Sequence, residues 1–172
     1  GASASNGGPV CVGQSITLSA SAGGSTYSWS GPSGFSASVA NPTRTGATTA
    51  MAGVYSVTVG GTNGCTGTAT TSVIVNPLPV INPTGSDVCE GATISLSASG
   101  GGTYAWAGPS AFSASTANPT RTNATTAMAG VYSVTVTGTN SCTNSATTSV
   151  KVSTQGASAS NGGPVCVGQS IT

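Results

Sequence analysis

The ten residues Ala50-Met51-Ala52-Gly53-Val54-Tyr55-Ser56-Val57-Thr58-Val59 return unchanged as Ala127-Met128-Ala129-Gly130-Val131-Tyr132-Ser133-Val134-Thr135-Val136. Small residues followed by Tyr-x-Val-x-Val alternation read as a strand with one buried face, entered through a corner against which the tyrosine packs. A chain that carries such a strand twice is constrained to build a repeated β-unit. The stretch Gly156–Thr172 is also identical to Gly1–Thr17. The organisation expected is therefore one repeat over 1–77, a second over 78–155, and the start of a third over 156–172. On this reading the chain is a window cut from a longer array, and any signal peptide lies outside it.

Charged residues make up 3% of the chain, against roughly a quarter in ordinary soluble domains. They are Arg44, Asp87, Glu90, Arg121 and Lys151, for a net charge of +1. No basic patch is available to hold phosphate and no polybasic segment to hold anionic lipid, which argues against nucleic acid and against a charged membrane surface as partners. Low charge joined to low hydrophobicity would signal disorder. Here mean hydropathy is positive and Val, Ile, Thr and Tyr alternate, so a folded β-protein is expected. No apolar run approaches the roughly 18 residues of a membrane span.

The five cysteines, Cys11, Cys65, Cys89, Cys142 and Cys166, recur at fixed places in the repeats, with no Cys-x-x-Cys pair and no histidine to complete a zinc site. Disulfide formation is the expected use, which places the protein in an oxidising compartment, outside the cell or on its surface.

Along the first repeat, Gly1–Pro9 is rich in small residues and is compatible with an irregular edge strand or a linker. Ile16, Leu18 and Ala20 share one face of a strand. Gly23-Gly24 marks a turn, after which Tyr27 and Trp29 alternate in a second strand that stops at Gly31-Pro32. Phe35, Ala37 and Val39 share a parity and suggest a short strand, ended at Asn41-Pro42 because proline donates no ladder hydrogen bond. Thr43 to Thr49 suits a further strand. The repeated segment follows, then the hairpin loop Gly60–Gly64 and a returning strand from Cys65 to Val75. Asn76-Pro77-Leu78-Pro79 reads as a stiff, extended connection. The second repeat keeps the order through Cys89, Ile94, Leu96, Tyr104, Trp106, Phe112, Asn118-Pro119, Tyr132 and Cys142, and is one residue shorter between Leu96 and Tyr104. About seven short strands per repeat, separated by Gly/Pro/Asn turns, specify an all-β sandwich.

Gly13-x-x-Ile16-Thr17-Leu18, the Trp of Tyr27-x-Trp29-x-Gly31-Pro32, and Ala52-Gly53-Val54-Tyr55 resemble strands B and C and the tyrosine corner of an immunoglobulin-like fold. With Asn41-Pro42-Thr43, Gly64-Cys65-Thr66 or Ser141-Cys142-Thr143, and Val75-Asn76-Pro77-Leu78-Pro79, the match resembles tandem Ig-like repeats of long secreted and cell-surface proteins of bacteria, many of them adhesins. The resemblance covers both repeats and implies tandem sandwiches with core signatures Trp29, Tyr55, Trp106 and Tyr132. Two positions depart from it. Met51 and Met128 stand where such domains usually carry an aspartate paired with an arginine, and Ala20 and Val57 replace the buried cysteine pair.

In the register this resemblance implies, Cys11 and Cys65 sit at opposite ends of one sandwich, about 33 Å apart, whereas a disulfide needs Cα atoms about 5.5 Å apart. Three pairings stay open: a bond within each repeat, should the register differ; Cys11 with Cys142 between neighbouring sandwiches; or Cys65 with Cys89 and Cys142 with Cys166 across a folded-back linker. Each leaves an odd cysteine, as an excerpt of an array would.

Chemistry finds little purchase. There is no histidine, and the carboxylates are Asp87 and Glu90 alone, which read as a solvated turn with too few ligands for calcium. Many serines lack a base to activate them. No cofactor or metal is implied, and no enzymatic activity is expected. Each Tyr–Trp pair falls on one strand face and reads as core before it reads as a carbohydrate platform. Arg44 and Arg121 read as edge-strand gatekeepers, and Asn123-Ala124-Thr125 fits an N-glycosylation sequon. An almost uncharged Ser/Thr surface favours edge-to-edge association. The function expected is a structural segment of an extracellular filament or giant surface adhesin, stabilised by disulfides and self-association into fibres. The alternatives are a module that binds a glycan or a cell-surface ligand, and spacer domains of a secreted enzyme; ice binding by Thr-rich strands is remote.

Overall fold

A computed structural model describes residues 1–21 and 23–154. The third-repeat start, with Cys166, lies outside the described residues. Two compact units make up the rest, cut differently from the sequence repeats. The first comprises Gly1–Ile81 together with the loops Gly100–Thr103 and Val136–Asn144, and the second Asn82–Ser99, Tyr104–Thr135 and the described residues from Ser145 on.

The first unit contains β1 (Ala4–Asn6), β2 (Val10–Cys11), β3 (Ile16–Ala20), β4 (Thr26–Gly31), β5 (Phe35–Ala37), β6 (Thr43–Arg44), β7 (Gly53–Gly60), β8 (Thr66–Val73) and β9 (Val75–Asn76). They form a three-stranded sheet β1-β3-β6, a four-stranded sheet β5-β4-β7-β8, and the parallel pair β2-β9. This is an immunoglobulin-like sandwich.

The duplicated strand is its centre. β7 pairs along its length with β8, from Gly53 opposite Val73 to Gly60 opposite Thr66, and on its other side with β4, from Thr26 opposite Gly60 to Ser30 opposite Ser56. Alternation then decides the faces: Tyr55 and Val57 point inward with no exposure, while Val54 is 60% exposed. Ile16 and Leu18 of β3, Trp29 of β4, Val73 and Val75 complete the core with them. The buried indole is not left short of a partner, because Trp29 Nε1 donates to Val39 O at 3.1 Å.

Three strands differ from expectation. The segment expected over Thr43–Thr49 shortens to Thr43–Arg44, and the chain then curls into a 3-10 turn over Thr49–Met51 that carries the Met51 carbonyl to the tyrosine corner. Val39 falls outside β5 and is 56% exposed, its carbonyl taken by Trp29. The returning strand breaks at the exposed Ile74, where the chain leaves β7 and pairs Val75 and Asn76 in parallel with Val10 and Cys11. The small-residue start resolves as the edge strand β1, with Ala4 opposite Ala20.

The second unit and the loops it shares in sequence with the first repeat the set: β10 (Thr84–Gly85), β11 (Val88–Cys89), β12 (Ile94–Ser97), β13 (Thr103–Gly108), β14 (Phe112–Ala114), β15 (Thr120–Arg121), β16 (Gly130–Thr137), β17 (Thr143–Val150) and β18 (Val152–Ser153). The sheets are again β10-β12-β15, β14-β13-β16-β17 and the parallel pair β11-β18. Ile94, Leu96, Trp106, Ala124, Tyr132, Val134, Val150 and Val152 are buried in the matching places.

Candidate functional site

Among the described residues, each repeat carries a polar cluster packed against the core at the tyrosine corner. Tyr55 Oη donates to Met51 O at 2.9 Å, and Arg44 Nη1 donates to Tyr55 Oη at 3.0 Å and to Pro32 O at 2.8 Å. The guanidinium lies over the Phe35 ring, 5.3 Å from its centroid, and that ring meets Tyr55 edge-on. In the second repeat Arg121, Tyr132, Met128, Pro109 and Phe112 repeat the arrangement. Arg44 and Arg121 are thus half-buried tethers of the corner, although they stand on the edge strands where gatekeepers were expected. The missing aspartate is replaced as an arginine partner by a carbonyl and the phenol. The corner also fixes a glycine: a Cβ on Gly31 would collide with the Tyr55 ring, so only glycine ends β4 beneath it.

The cysteines give the other site. Cys11 is bonded to Cys142, with Cα atoms 5.7 Å apart. Cys65 and Cys89 carry free, exposed thiols. Neither the bond within a repeat nor the Cys65–Cys89 and Cys142–Cys166 arrangement is therefore formed, and Cys166 lies outside the described residues. The physical reason is strand register. Cys11 lies opposite Asn76, and the path back from Asn76 to Cys65 is about eleven residues of extended chain, roughly 35 Å. The loop between β16 and β17, in contrast, folds onto the chain that follows β9. Asn140 Nδ2 donates to Pro77 O and Asn144 Nδ2 to Pro79 O, both at 2.9 Å, and Cys142 Sγ lies 3.9 Å from Asn76 O. The proline-rich segment is thus held by side-chain amides, and Val136 and Cys142 are fully buried beneath it.

The remaining candidates are brought to no common place. Trp29 and Trp106 are 1% and 2% exposed, so neither can stack a sugar ring. Tyr27 Oη accepts from Gly24 N and donates to Ser21 O, which fixes the β3–β4 turn. Asp87 Oδ1 accepts from Lys151 N and Glu90 Oε1 from Thr126 N, so each carboxylate caps a backbone amide. Among the described residues no three metal-ligating side chains come together. Asn123 is exposed and holds a φ of 54°, the left-handed conformation that Gly46 adopts in the first repeat, which explains an asparagine at this turn independently of any sugar.

Sequence reasoning missed the role of Arg44 and Arg121 and the amide clamps Asn140 and Asn144. A Thr-Arg-Thr triplet near a Gly-Pro turn carries no signal of where the guanidinium will point, and the clamps depend on a contact far away in sequence.

No protein-family model matches the chain, and no curated protein matches it. Among solved structures it is similar to the three N-terminal domains of the Highly Immunogenic Outer Capsid protein of bacteriophage RB49, at 22% identity and a TM-score of 0.48, over 88% of this chain and 58% of that one. The chain thus spans little more than half of that phage structure. It is also similar to the amphioxus IgVJ-C2 molecule, at 18% identity and a TM-score of 0.40 over 83% of this chain and 99% of that one. For murine CEACAM1b the values are 12% and 0.41, over 90% of this chain and 100% of that one. The chain's own strand order makes it an all-β protein of immunoglobulin-like sandwiches.

Proposed function

We propose that the chain is a structural repeat segment of an extracellular filament or giant surface protein of the bacterial adhesin type, organised as two repeats, 1–77 and 78–155, with a third beginning at 156. The observation that carries this reading is the Cys11–Cys142 bond, which ties residues of the two repeats across the amide-clamped prolines. A binding module has no need to staple a connection. A segment that must resist extension does. The surface supports the same role: Thr66, Thr68, Thr70 and Ser72 present exposed residues on one face of β8 with no charge to repel another copy, while the strand's own edge is met by Asn6, whose Nδ2 donates to Ser72 O at 2.9 Å. Electron microscopy of the native material tests it. Ordered fibres with a repeat set by one or two sandwiches are expected, and isolated beads on a string would remove the filament from the reading. Saturable binding on a glycan array would replace the structural role with an adhesive one.

A further inference from the structure

The two free thiols are the sequence counterparts of the two bonded ones. Cys89 stands in the second repeat where Cys11 stands in the first, and Cys65 stands in the first where Cys142 stands in the second. Their backbones match as well. Cys89 pairs with Ser153, and Val88 with Val152, in the same parallel register in which Cys11 pairs with Asn76 and Val10 with Val75. At the other half, Gly61 N donates to Cys65 O at 2.8 Å and Cys65 N to Asn63 Oδ1 at 3.2 Å. The counterparts are Gly138 N to Cys142 O at 2.9 Å and Cys142 N to Asn140 Oδ1 at 3.1 Å. The difference lies in what covers them. Val136 and Cys142 are buried, whereas Val59 is half-buried and Cys65 exposed beside a recess of about 310 Å³ lined by Gly1, Ala2, Gly24, Val59 and Gly67.

We propose that Cys89 and Cys65 are the two halves of a second staple, in which Cys89 of one copy of this chain bonds to Cys65 of the next and covers that open end. The contact is heterologous: unlike ends meet, so it propagates instead of closing into a dimer. It rests on the structural-repeat reading in requiring copies in series, but not on any particular fibre. The oxidant is a small dialkyl disulfide. The Cys89 thiolate attacks one of its sulfurs, forming a mixed disulfide and expelling one small thiolate. The Cys65 thiolate of the next copy then attacks the Cys89 sulfur and expels the second. Each expelled thiolate takes up one of the two protons the cysteines gave up, so one small disulfide is reduced to two thiols as one protein disulfide forms.

The test uses the full chain carrying Cys166→Ser, at protein concentrations approaching the ~mM effective concentration that a short linker provides, with oxidised glutathione as the oxidant. That protein is expected to give a ladder of multimers on a non-reducing gel. Adding Cys65→Ser or Cys89→Ser should remove the ladder, leaving monomer. A mixture of these two variants should recover a dimer and stop there, with peptide mapping finding Cys65 joined to Cys89. The Cys11–Cys142 peptide, present in every sample, reports that each variant has folded. No dimer in the mixture, or as much dimer in either variant alone, would overturn the staple. Fibres assembled without a Cys65–Cys89 peptide would also sink it while leaving the structural role intact, and a stapled dimer that never forms fibres would do the reverse.

Discussion

The turn Gly60–Cys65 and the turn Thr137–Cys142 hold the same backbone hydrogen bonds, yet one presents an exposed thiol and the other a buried disulfide. Local sequence builds the turn; whether its end becomes interior depends on the segment laid over it. Over Cys142 lie Asn76 to Pro79, clamped by Asn140 and Asn144. Asn63 has the same amide as Asn140 but, among the described residues, no proline carbonyl to receive it, and Gly67 stands where Asn144 stands.

The sharpest way to break the comparison is to remove each sulfur. Cys142→Ser opens a loop spanning 131 residues, and the expected loss is about 2–5 kcal/mol in guanidinium unfolding, reproduced by reductant on the parent chain. Cys65→Ser should stay within about 0.5 kcal/mol. Equal losses would erase the distinction between the two ends.

The tyrosine corners supply the control, where the repeats should not differ. Tyr55→Phe and Tyr132→Phe each remove the partner of one arginine Nη1 hydrogen, the other staying on the proline carbonyl, and of a methionine carbonyl, and each should cost about 1–3 kcal/mol. Unequal values would mean that the repeats differ beyond their loops. Val136→Ala should cost about 1.5 kcal/mol, from the apolar groups it removes from a fully buried site, and Val59→Ala about half of that; their denaturant midpoints in disulfide-intact protein measure the cover directly. The smallest effect belongs to the clamp. Asn140→Ala should exceed Asn63→Ala by about 0.5–1 kcal/mol, the worth of one exposed hydrogen bond, and the difference should vanish once the disulfide is reduced if the clamp depends on it.

Much of this fold was legible because its central strands alternate strictly. Tyr55, Val57 and Trp29 declare their buried face within a few residues, and the tyrosine corner then sets the register from which Cys11 and Cys65 are seen to lie at opposite ends. The edges were less legible. Strand β1 is Ala-Ser-Asn, whose small side chains carry no hydrophobic period, and the step from β8 to β9 turns on a parallel pairing with Val10 and Cys11 that no local pattern encodes. The partner of Cys11 was legible only as one of several possibilities, since its selection depends on how the prolines and Asn140 pack. The inward turn of Arg44 had no signal at all: it follows from a phenol on β7, a ring at the start of β5 and a carbonyl on the turn between β4 and β5, brought together by the fold.

The Cys11–Cys142 bond also redraws the path that tension takes along the chain. A pull on the two ends enters at Cys11, crosses two sulfur atoms and leaves at Cys142, so the 131 residues of separation carry none of it. At roughly 3.5 Å per extended residue, about 450 Å of potential slack is locked away. Both tyrosine corners and both tryptophans lie within that sheltered stretch. Reduction of that one bond would return both cores to the path of the load, where before only the strands outside the loop, β1 and β2 before it and β17 and β18 after it, were exposed to the pull.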